Sequence, residues 1–343
     1  MADGAPDEFR LIAELFAPLS VRCPGAHGLT DDAAFLPAQP GTDTVVTVDT
    51  MVAGVHFLPD DPPELIARKL IGVNLSDLAA KGAVPQTVFL AAAFPREVSS
   101  SWLTAFAAGL KCDLDRWEVA LAGGDTVATP GPLTLTLTAL GRVEAGRGLL
   151  RSGARPGHGI WVSGSIGDGA LGLKAIRREL AGLDTSDLAE LADRYRLPRP
   201  RVLLGPRLIG LAAAAMDISD GLLQDLAHIC RASGVGAEIE AELVPLSPAA
   251  ALALAIDQSL LASILTGGDD YELLFTAAPE AVASIQMLSE ELSLSLRRIG
   301  RITGAAGDGV VVLGGDGQVI SLAAGGWRHF AGAEEKGDTV WSG

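Results

Sequence analysis

Residues 215–229 read AMDISDGLLQDLAHI, setting Asp217, Asp220 and Asp225 around the start of a segment whose apolar residues recur at helical spacing. Helix starts favour Ser and Asp, because their oxygens accept the unpaired N–H groups of the first turn. One cap accounts for one acid, so three in nine residues need a second, chemical reason. Asp225 reads as a solvated helix residue outside any site, whose change to Asn should leave activity intact.

The same surplus recurs along the chain. LTDDAAFL (29–36) carries Asp31 and Asp32, VTVDTMV (46–52) Asp49, NLSDLAAKG (74–82) Asp77, LAGGDT (121–126) Asp125, and LTGGDDYELLF (265–275) Asp269, Asp270 and Glu272. The pattern predicts that these acids lie at turns or element ends, where binding residues gather on a rigid scaffold. Each also has a plainer reading. Asp77 has Lys81 at i+4 as a surface partner, worth about half a kcal/mol or less. Asp125 and Asp269 follow Gly-Gly and suit turns, and either Ser219 or Asp220 is an adequate helix cap. His56 between Val55 and Phe57 reads as a half-buried imidazole, and Trp327 as a packing residue.

Taken together the acids point to cations. Two carboxylates ~4 Å apart repel by about 4 kcal/mol at an effective dielectric of 20, and a divalent ion removes that cost. Without a Cys/His set the donors suit hard ions, favouring Mg²⁺ over Zn²⁺. Mg²⁺ takes one or two carboxylates and fills its shell with water and phosphate oxygens, so several such ions imply a polyphosphate substrate.

Composition narrows the classes. The 343 residues are 48% hydrophobic and 20% charged, enough for a large core in two domains. A formal net charge of −16 opposes a nucleic-acid groove, which works by neutralising phosphates. Cys23, Cys112 and Cys230 show no C-x-x-C spacing and suggest neither a disulfide framework nor a thiolate zinc site, consistent with a reducing cytoplasm. The start MADGAPDEFR is acidic, unlike a signal peptide, and no apolar run approaches the ~20 residues of a membrane span.

Periodicity predicts an α+β chain. EFRLIAELFAPL (8–19), DPPELIARKLIGVNLSDLAAKG (61–82), SSWLTAFAAGLKCDLDRW (100–117) and GDGALGLKAIRREL (167–180) read as helices. Strands are predicted at TDTVVTVDT (42–50), QTVFLAAAF (86–94), LTLTLTALGRV (133–143), GIWVSGS (159–165), GAEIEAEL (236–243), YELLFTA (271–277) and LRRIGRI (296–302). VALAGGDT (119–126) reads as a strand entering a Gly turn, and VVVLGGDGQVI (310–320) as a hairpin. The Gly/Arg-rich EAGRGLLRSGARPGHG (144–159) is the expected joint, giving domains at 1–147 and 148–343. A phosphate-binding P-loop, the protein-kinase motif set and an EF-hand loop are all missing; GSIGDGALG (164–172) is Gly-rich but has a helix-entry spacing.

The ordered series DDAAFLP, VDTMVAGVHF, VNLSDLAAKGA, LAGGDT, LLRSGARPG, DISDGLLQDL and GGDDYELLF resembles the thiamine-monophosphate kinase family, a branch of the aminoimidazole-ribonucleotide synthetase-like superfamily. The match runs from about residue 8 to residue 330. The resemblance implies an N-terminal α+β lobe that binds ATP and Mg²⁺ and forms a dimeric β-barrel interface, with a C-terminal α/β sandwich lobe. It implies transfer of the γ-phosphoryl group of ATP to thiamine monophosphate, assisted by several Mg²⁺ ions, in a cytoplasmic homodimer that uses neither nucleic acid nor membrane. By motif, Asp32, Thr47, Val48, Asp49, Asp77, Asp125, Asp217 and Asp220 would be the metal shell, with Val48 acting through its backbone. Gly124, Asp125, Arg151 and Ser219 would contact ATP, and His56, Asp269 and Trp327 would hold the thiamine end. Three positions depart from the usual pattern: Thr30 where Gly commonly precedes the Asp pair, Val48 where Thr is frequent, and Asp269 where Glu is common. Sibling enzymes of the superfamily that use a reactive N-terminal or C-terminal Cys fit less well, because Cys23 lacks a Gly-rich setting and no Cys follows Cys230. A non-catalytic Ca²⁺- or nucleotide-binding protein is the other alternative.

Overall fold

The computed structural model describes residues 8–304 and 309–321. The chain divides into two compact units, the first comprising residues up to Leu78 together with Ala83–Gly148, the second Ala79–Gly82 together with the chain from Leu149.

The first unit runs α1 (Glu8–Leu11), β1 (Thr42–Val52), α2 (Pro63–Ala80), β2 (Val84–Pro95), α3 (Ser100–Arg116), β3 (Ala120–Thr129) and β4 (Thr134–Glu144). Its sheet has the order β1-β4-β2-β3, antiparallel except for the β2–β3 pair, whose crossover is α3. The alternation in LTLTLTAL separates two faces: Leu135, Leu137 and Ala139 are buried, while Thr134, Thr136 and Thr138 are partly exposed. Helix α2 meets the buried face, where a Cβ on Gly141 would sit 3.3 Å from Leu78 Cδ1. On the open face Val46 and Val48 are each 56% exposed and Val127 50%. The predicted first helix is α-helical only over Glu8–Leu11, after which the chain widens into a π turn over Ile12–Phe16 and tightens into a 3₁₀ turn over Ala17–Ser20.

One local reading is corrected. The chain does not turn at Gly123–Gly124; β3 continues through them to Thr129, with a register shift opposite Val88/Phe89. The glycines allow close strand approach instead, since a Cβ on Gly124 would lie 1.9 Å from the Leu90 carbonyl oxygen. Gly124→Ala should therefore destabilise the protein by about 1–3 kcal/mol, read as a lowered urea midpoint. An unchanged midpoint would mean that β2 moves aside freely.

The second unit runs β5 (Gly159–Ser163), α4 (Asp168–Ile176), α5 (Thr185–Arg196), β6 (Ala212–Asp217), α6 (Leu222–Ser233), β7 (Gly236–Glu240), α7 (Pro248–Ile256), α8 (Leu260–Thr266), β8 (Leu273–Ala277), α9 (Val282–Glu291), β9 (Leu296–Thr303) and β10 (Val310–Leu313). Its mixed sheet has the order β10-β7-β9-β5-β8-β6. Two apolar clusters sandwich it. One joins Ile160, Val162 and Leu274 to Leu171, Leu226, Ile229 and Ile264 of the helices, and the other joins Trp161 and Phe275 to Ile285 and Leu288 of α9. After β10 the chain turns back and forms an isolated bridge, Leu313 to Val319, with Gly317 at φ 75°. Strand β6 is a finding sequence periodicity missed, because Ala212–Ala215 carries a strong helix propensity that sheet pairing overrides.

Candidate active site

In the first unit β1 alternation sends Thr47 and Asp49 to the helix-covered face, opposite Ala139 and Leu137 of β4. Asp77, near the end of α2, meets them, and Thr47 Oγ1 donates a short hydrogen bond to Asp77 Oδ2. Burial and the neighbouring charge of Asp77 push the Asp49 carboxyl up to about 6. Asp77 accepts from Thr47, and Lys81 Nζ donates to the Ala215 carbonyl at 3.1 Å, so each has a partner besides the other. The donors here are all hard oxygens and the two carboxylates repel each other, a set that fits a divalent cation.

The other first-unit candidates separate from this group. Val48 points its side chain to the open face, and Asp125, paired with Ala91 across β3–β2, is exposed with Oδ1 accepting from its neighbour's N–H at 2.9 Å. Asp49 and Asp125 therefore sit inside strands rather than at element ends. Asp32 is exposed in an irregular segment, its N–H donating to Asp31 Oδ1 at 2.8 Å. His56 lies in the turn after β1, where Nδ1 accepts from the Val52 N–H at 3.0 Å, so the neutral ring carries its hydrogen on Nε2.

In the second unit the DISDG loop connects β6 to α6. Asp217 is buried at the strand end, Ser219 and Asp220 are partly exposed, and Gln224 Nε2 donates to Asp220 Oδ2 at 2.9 Å. Neither Ser219 nor Asp220 caps α6; the N-cap is Gly221 at φ 127°, where a Cβ would lie 2.5 Å from the Thr266 carbonyl oxygen. The reading of Asp225 is overturned. It is 1% exposed, and its Oδ2 accepts from the N–H groups of Ser219, Asp220 and Gly221, each at 3.1 Å. Burial and then the charge of Asp220 raise its carboxyl to about 7, against the pull of those three donors. The helical stripe fails to mark Asp225 because the N–H groups of its own loop, rather than water, solvate it.

His228, one helical turn beyond Asp225, also escaped the sequence reading. Oxygens of Asp220 and Asp225 and a ring nitrogen of His228 all lie within 4.8 Å of one another. Burial, followed by the charges of Arg231 and Arg151, lowers the His228 pKa, which brings Arg151 into this neighbourhood. The signal available in the sequence was the i, i+3 spacing of Asp225 and His228 on one helix.

GGDDYEL splits by alternation. Asp269, at φ 71°, stays partly exposed and accepts from Tyr271 Oη at 3.2 Å. Asp270 turns inward and accepts from the Gly167 and Gly169 N–H groups at 2.8 and 3.0 Å, holding the start of α4. Glu272 is fully buried: Arg201 grips both of its oxygens, Arg194 Nη2 donates at 3.0 Å and Ser163 Oγ at 2.6 Å. Arg194 also bonds Asp168 Oδ2 at 3.3 Å. The glycines ahead of the motif serve packing, since a Cβ on Gly268 would lie 2.2 Å from the Ser219 carbonyl oxygen. Three backbone bonds stitch this loop to DISDG: Ile218 N–H to Glu272 O, Tyr271 N–H to Ile218 O and Asp269 N–H to Ser219 O, at 2.8, 2.8 and 2.9 Å. Trp327 lies outside the described residues.

Comparison with known proteins fixes the family. The model of the AIR synthase related protein N-terminal domain matches residues 30–143, and that of the C-terminal domain matches 155–323. The thiamine-monophosphate kinase of Caulobacter vibrioides is 41% identical over 331 residues, 96% of this chain and 92% of that protein. The chain belongs to the thiamine-monophosphate kinase family. The crystal structure of a thiamine-monophosphate kinase from Stenotrophomonas maltophilia K279a superposes with TM-score 0.77 at 42% identity, covering 85% of this chain and 91% of that one. A structure described as AaThiL complexed with AMPPCP and TMP superposes with TM-score 0.75 at 30% identity, covering 88% and 91%. For a thiamine-monophosphate kinase the departure at Thr30 is benign in shape: its φ is −106° and ψ 0°, which need no glycine, and Oγ1 bonds the His27 carbonyl at 2.7 Å.

Proposed function

We propose that the chain transfers the γ-phosphoryl group of ATP directly, in line, to the phosphate of thiamine monophosphate, giving thiamine diphosphate, with Mg²⁺ held by its aspartates. The observation that carries the reading is the half-buried oxygen group Thr47–Asp49–Asp77, whose two carboxylates repel each other until an ion relieves the strain. The complex of the related AaThiL with AMPPCP and TMP supports the choice of the two substrates.

A monophosphate, with a second pKa of about 6, is already largely ionised at neutral pH, so the residues need supply no strong base. Bound Mg²⁺ would offset the repulsion between two anions and stabilise charge spread in a loose transition state. Asp49 and Asp77 in the first unit, and Asp217 and Asp220 in the second, offer carboxylate ligands; Thr47 adds a hydroxyl. Asp32, Asp125 and the Val48 backbone stand apart from the Thr47–Asp49–Asp77 group and are assigned to the metal shell on the family resemblance alone. Arg151, Ser219 and Gly124 are assigned to ATP. His56 offers Nε2–H to the thiamine end, Asp269 a charge opposite the thiazolium, and Trp327 a flat apolar face.

The family reading includes a homodimer in the cytoplasm, with domains at 1–147 and 148–343. Its support is the open face of the first sheet, which combines exposed Val46, Val48 and Val127 with an edge strand, β1. No described helix is long and apolar enough to cross a membrane.

The test is ADP release with Mg²⁺ and a panel of acceptors: thiamine monophosphate, free thiamine, selenide and formylglycinamidine ribonucleotide. Turnover is expected with thiamine monophosphate alone. Turnover with a different acceptor would move the chain to a sibling activity, and tight Ca²⁺ binding without ATP turnover would make it a binding protein.

A further inference from the structure

We infer that Asp225 is a positioning residue for the DISDG loop, a role that rests on the proposed use of Asp217 and Asp220 as Mg²⁺ ligands and Ser219 as an ATP contact. The geometry is specific. A single carboxylate oxygen gathers three consecutive N–H groups, Ser219, Asp220 and Gly221, each at 3.1 Å. Three donors converging on one acceptor fix the peptide planes on both sides of Ser219 and Asp220, and hence the direction in which each side chain leaves the backbone. Asp225 can do this because it belongs to α6 and is itself held by packing: it is 1% exposed, and its neighbours Leu222, Leu226 and Ile229 are fully buried in the sheet–helix core. Gly221 completes the device, since its φ of 127° lets the chain curl around the carboxylate before the helix begins.

A plain helix cap would not have this form. An ordinary cap lies before the helix and serves the first-turn amides. Here the acceptor lies within the helix and reaches backward, and two of the three amides it serves belong to the residues carrying the proposed nucleotide and metal contacts. In its ionised form the carboxylate holds the amides more firmly still, because charge-assisted bonds are about twice as strong as neutral ones. Asp225 needs no direct contact with an ion for this, because its Oδ2 is already shared among the three amides.

The test compares wild type, Asp225→Asn, Asp225→Ala and, as the ligand control, Asp217→Asn. Three readouts are taken on each: thermal unfolding, binding of Mn²⁺ to the full chain by electron paramagnetic resonance, and the Mg²⁺ dependence of ADP formation with thiamine monophosphate. Asp225→Asn keeps an acceptor oxygen but loses the charge, and it should weaken Mn²⁺ binding and raise the half-saturating Mg²⁺ by about tenfold, within the range found when a group supporting a metal ligand is removed. Asp225→Ala should weaken both further, with the KM for thiamine monophosphate changed less than the Mg²⁺ dependence.

Wild-type Mn²⁺ affinity in a folded Asp225→Asn protein would overturn the inference, as would a variant that loses thermal stability while its Mg²⁺ dependence stays at the wild-type value. If Asp225→Ala fails to fold, Asp225→Asn decides. If wild type makes no thiamine diphosphate, the proposed function fails, and the Mn²⁺ titration still judges Asp225.

Discussion

Asp49→Asn should nearly abolish turnover while leaving the protein folded and, without Mg²⁺, more stable above neutral pH. The two effects share one cause. The Asp49 carboxyl is raised to about 6 by burial and by Asp77, so the folded state holds its proton more tightly than the unfolded chain does. The unfolded chain releases that proton near the ordinary Asp value, about 4, and the folded protein only near 6. Stability associated with this group is thus highest below the lower value and declines as pH rises through the window between them. At pH 8 the ionised Asp49 costs on the order of 2 kcal/mol after discounting for its partial exposure, and Asn removes that cost. The same substitution removes a ligand charge from the proposed metal group, with a loss in kcat of roughly 10³-fold, comparable to removing one preorganised electrostatic contact. Paired measurements of ADP release and urea unfolding at pH 5 and pH 8 check both. Wild-type rates in Asp49→Asn would remove the residue from the metal shell; a stability difference between wild type and Asp49→Asn that is the same at the two pH values would show that neither burial nor Asp77 raises the Asp49 carboxyl.

Glu272→Gln should lower stability by about 3–5 kcal/mol, because removing one partner of a buried ionic group strands the others. Arg201 and Arg194 both point at Glu272, and an amide would turn its NH₂ toward at least one guanidinium donor. The melting temperature should fall by roughly 10 °C for a unit of this size. Glu272→Ala should be at least as damaging. A shift of only about 2 °C would mean that Arg194 relaxes onto Asp168 alone, its other acidic partner.

The two substitutions mark how far the sequence could be read. Strands with strict alternation, such as the one carrying Leu135 and Leu137, declare both their existence and their buried face. Helices with a cap and a stripe, such as Ser100–Arg116 behind Ser99, do the same. The acids were visible as a surplus, but not their division of labour. Asp49, Asp77, Asp217 and Asp220 remain candidates for cations, while Asp225, Asp270 and Glu272 are spent on backbone amides and guanidinium groups. That division depends on contacts between segments far apart in the chain: Glu272 meets Arg201 71 residues away, and Asp270 meets Gly167 at a separation of 103. No local pattern encodes a partner at such a distance. The glycines misled for a related reason. Gly-Gly before Asp125 resembles a turn, yet the space it creates is filled by a neighbouring strand.

The backbone stitching between DISDG and GGDDYEL has an evolutionary corollary. Because main-chain atoms make these bonds, side-chain replacements leave the bonds themselves untouched, and composition is held separately, by Gly221 and Gly268, which a Cβ would crowd, and by the buried Asp270 and Glu272. A change in length is different. Deleting or inserting one residue in either loop would put every donor opposite the wrong acceptor, so the spacing across this seam should be held even at positions whose side chains are free to change.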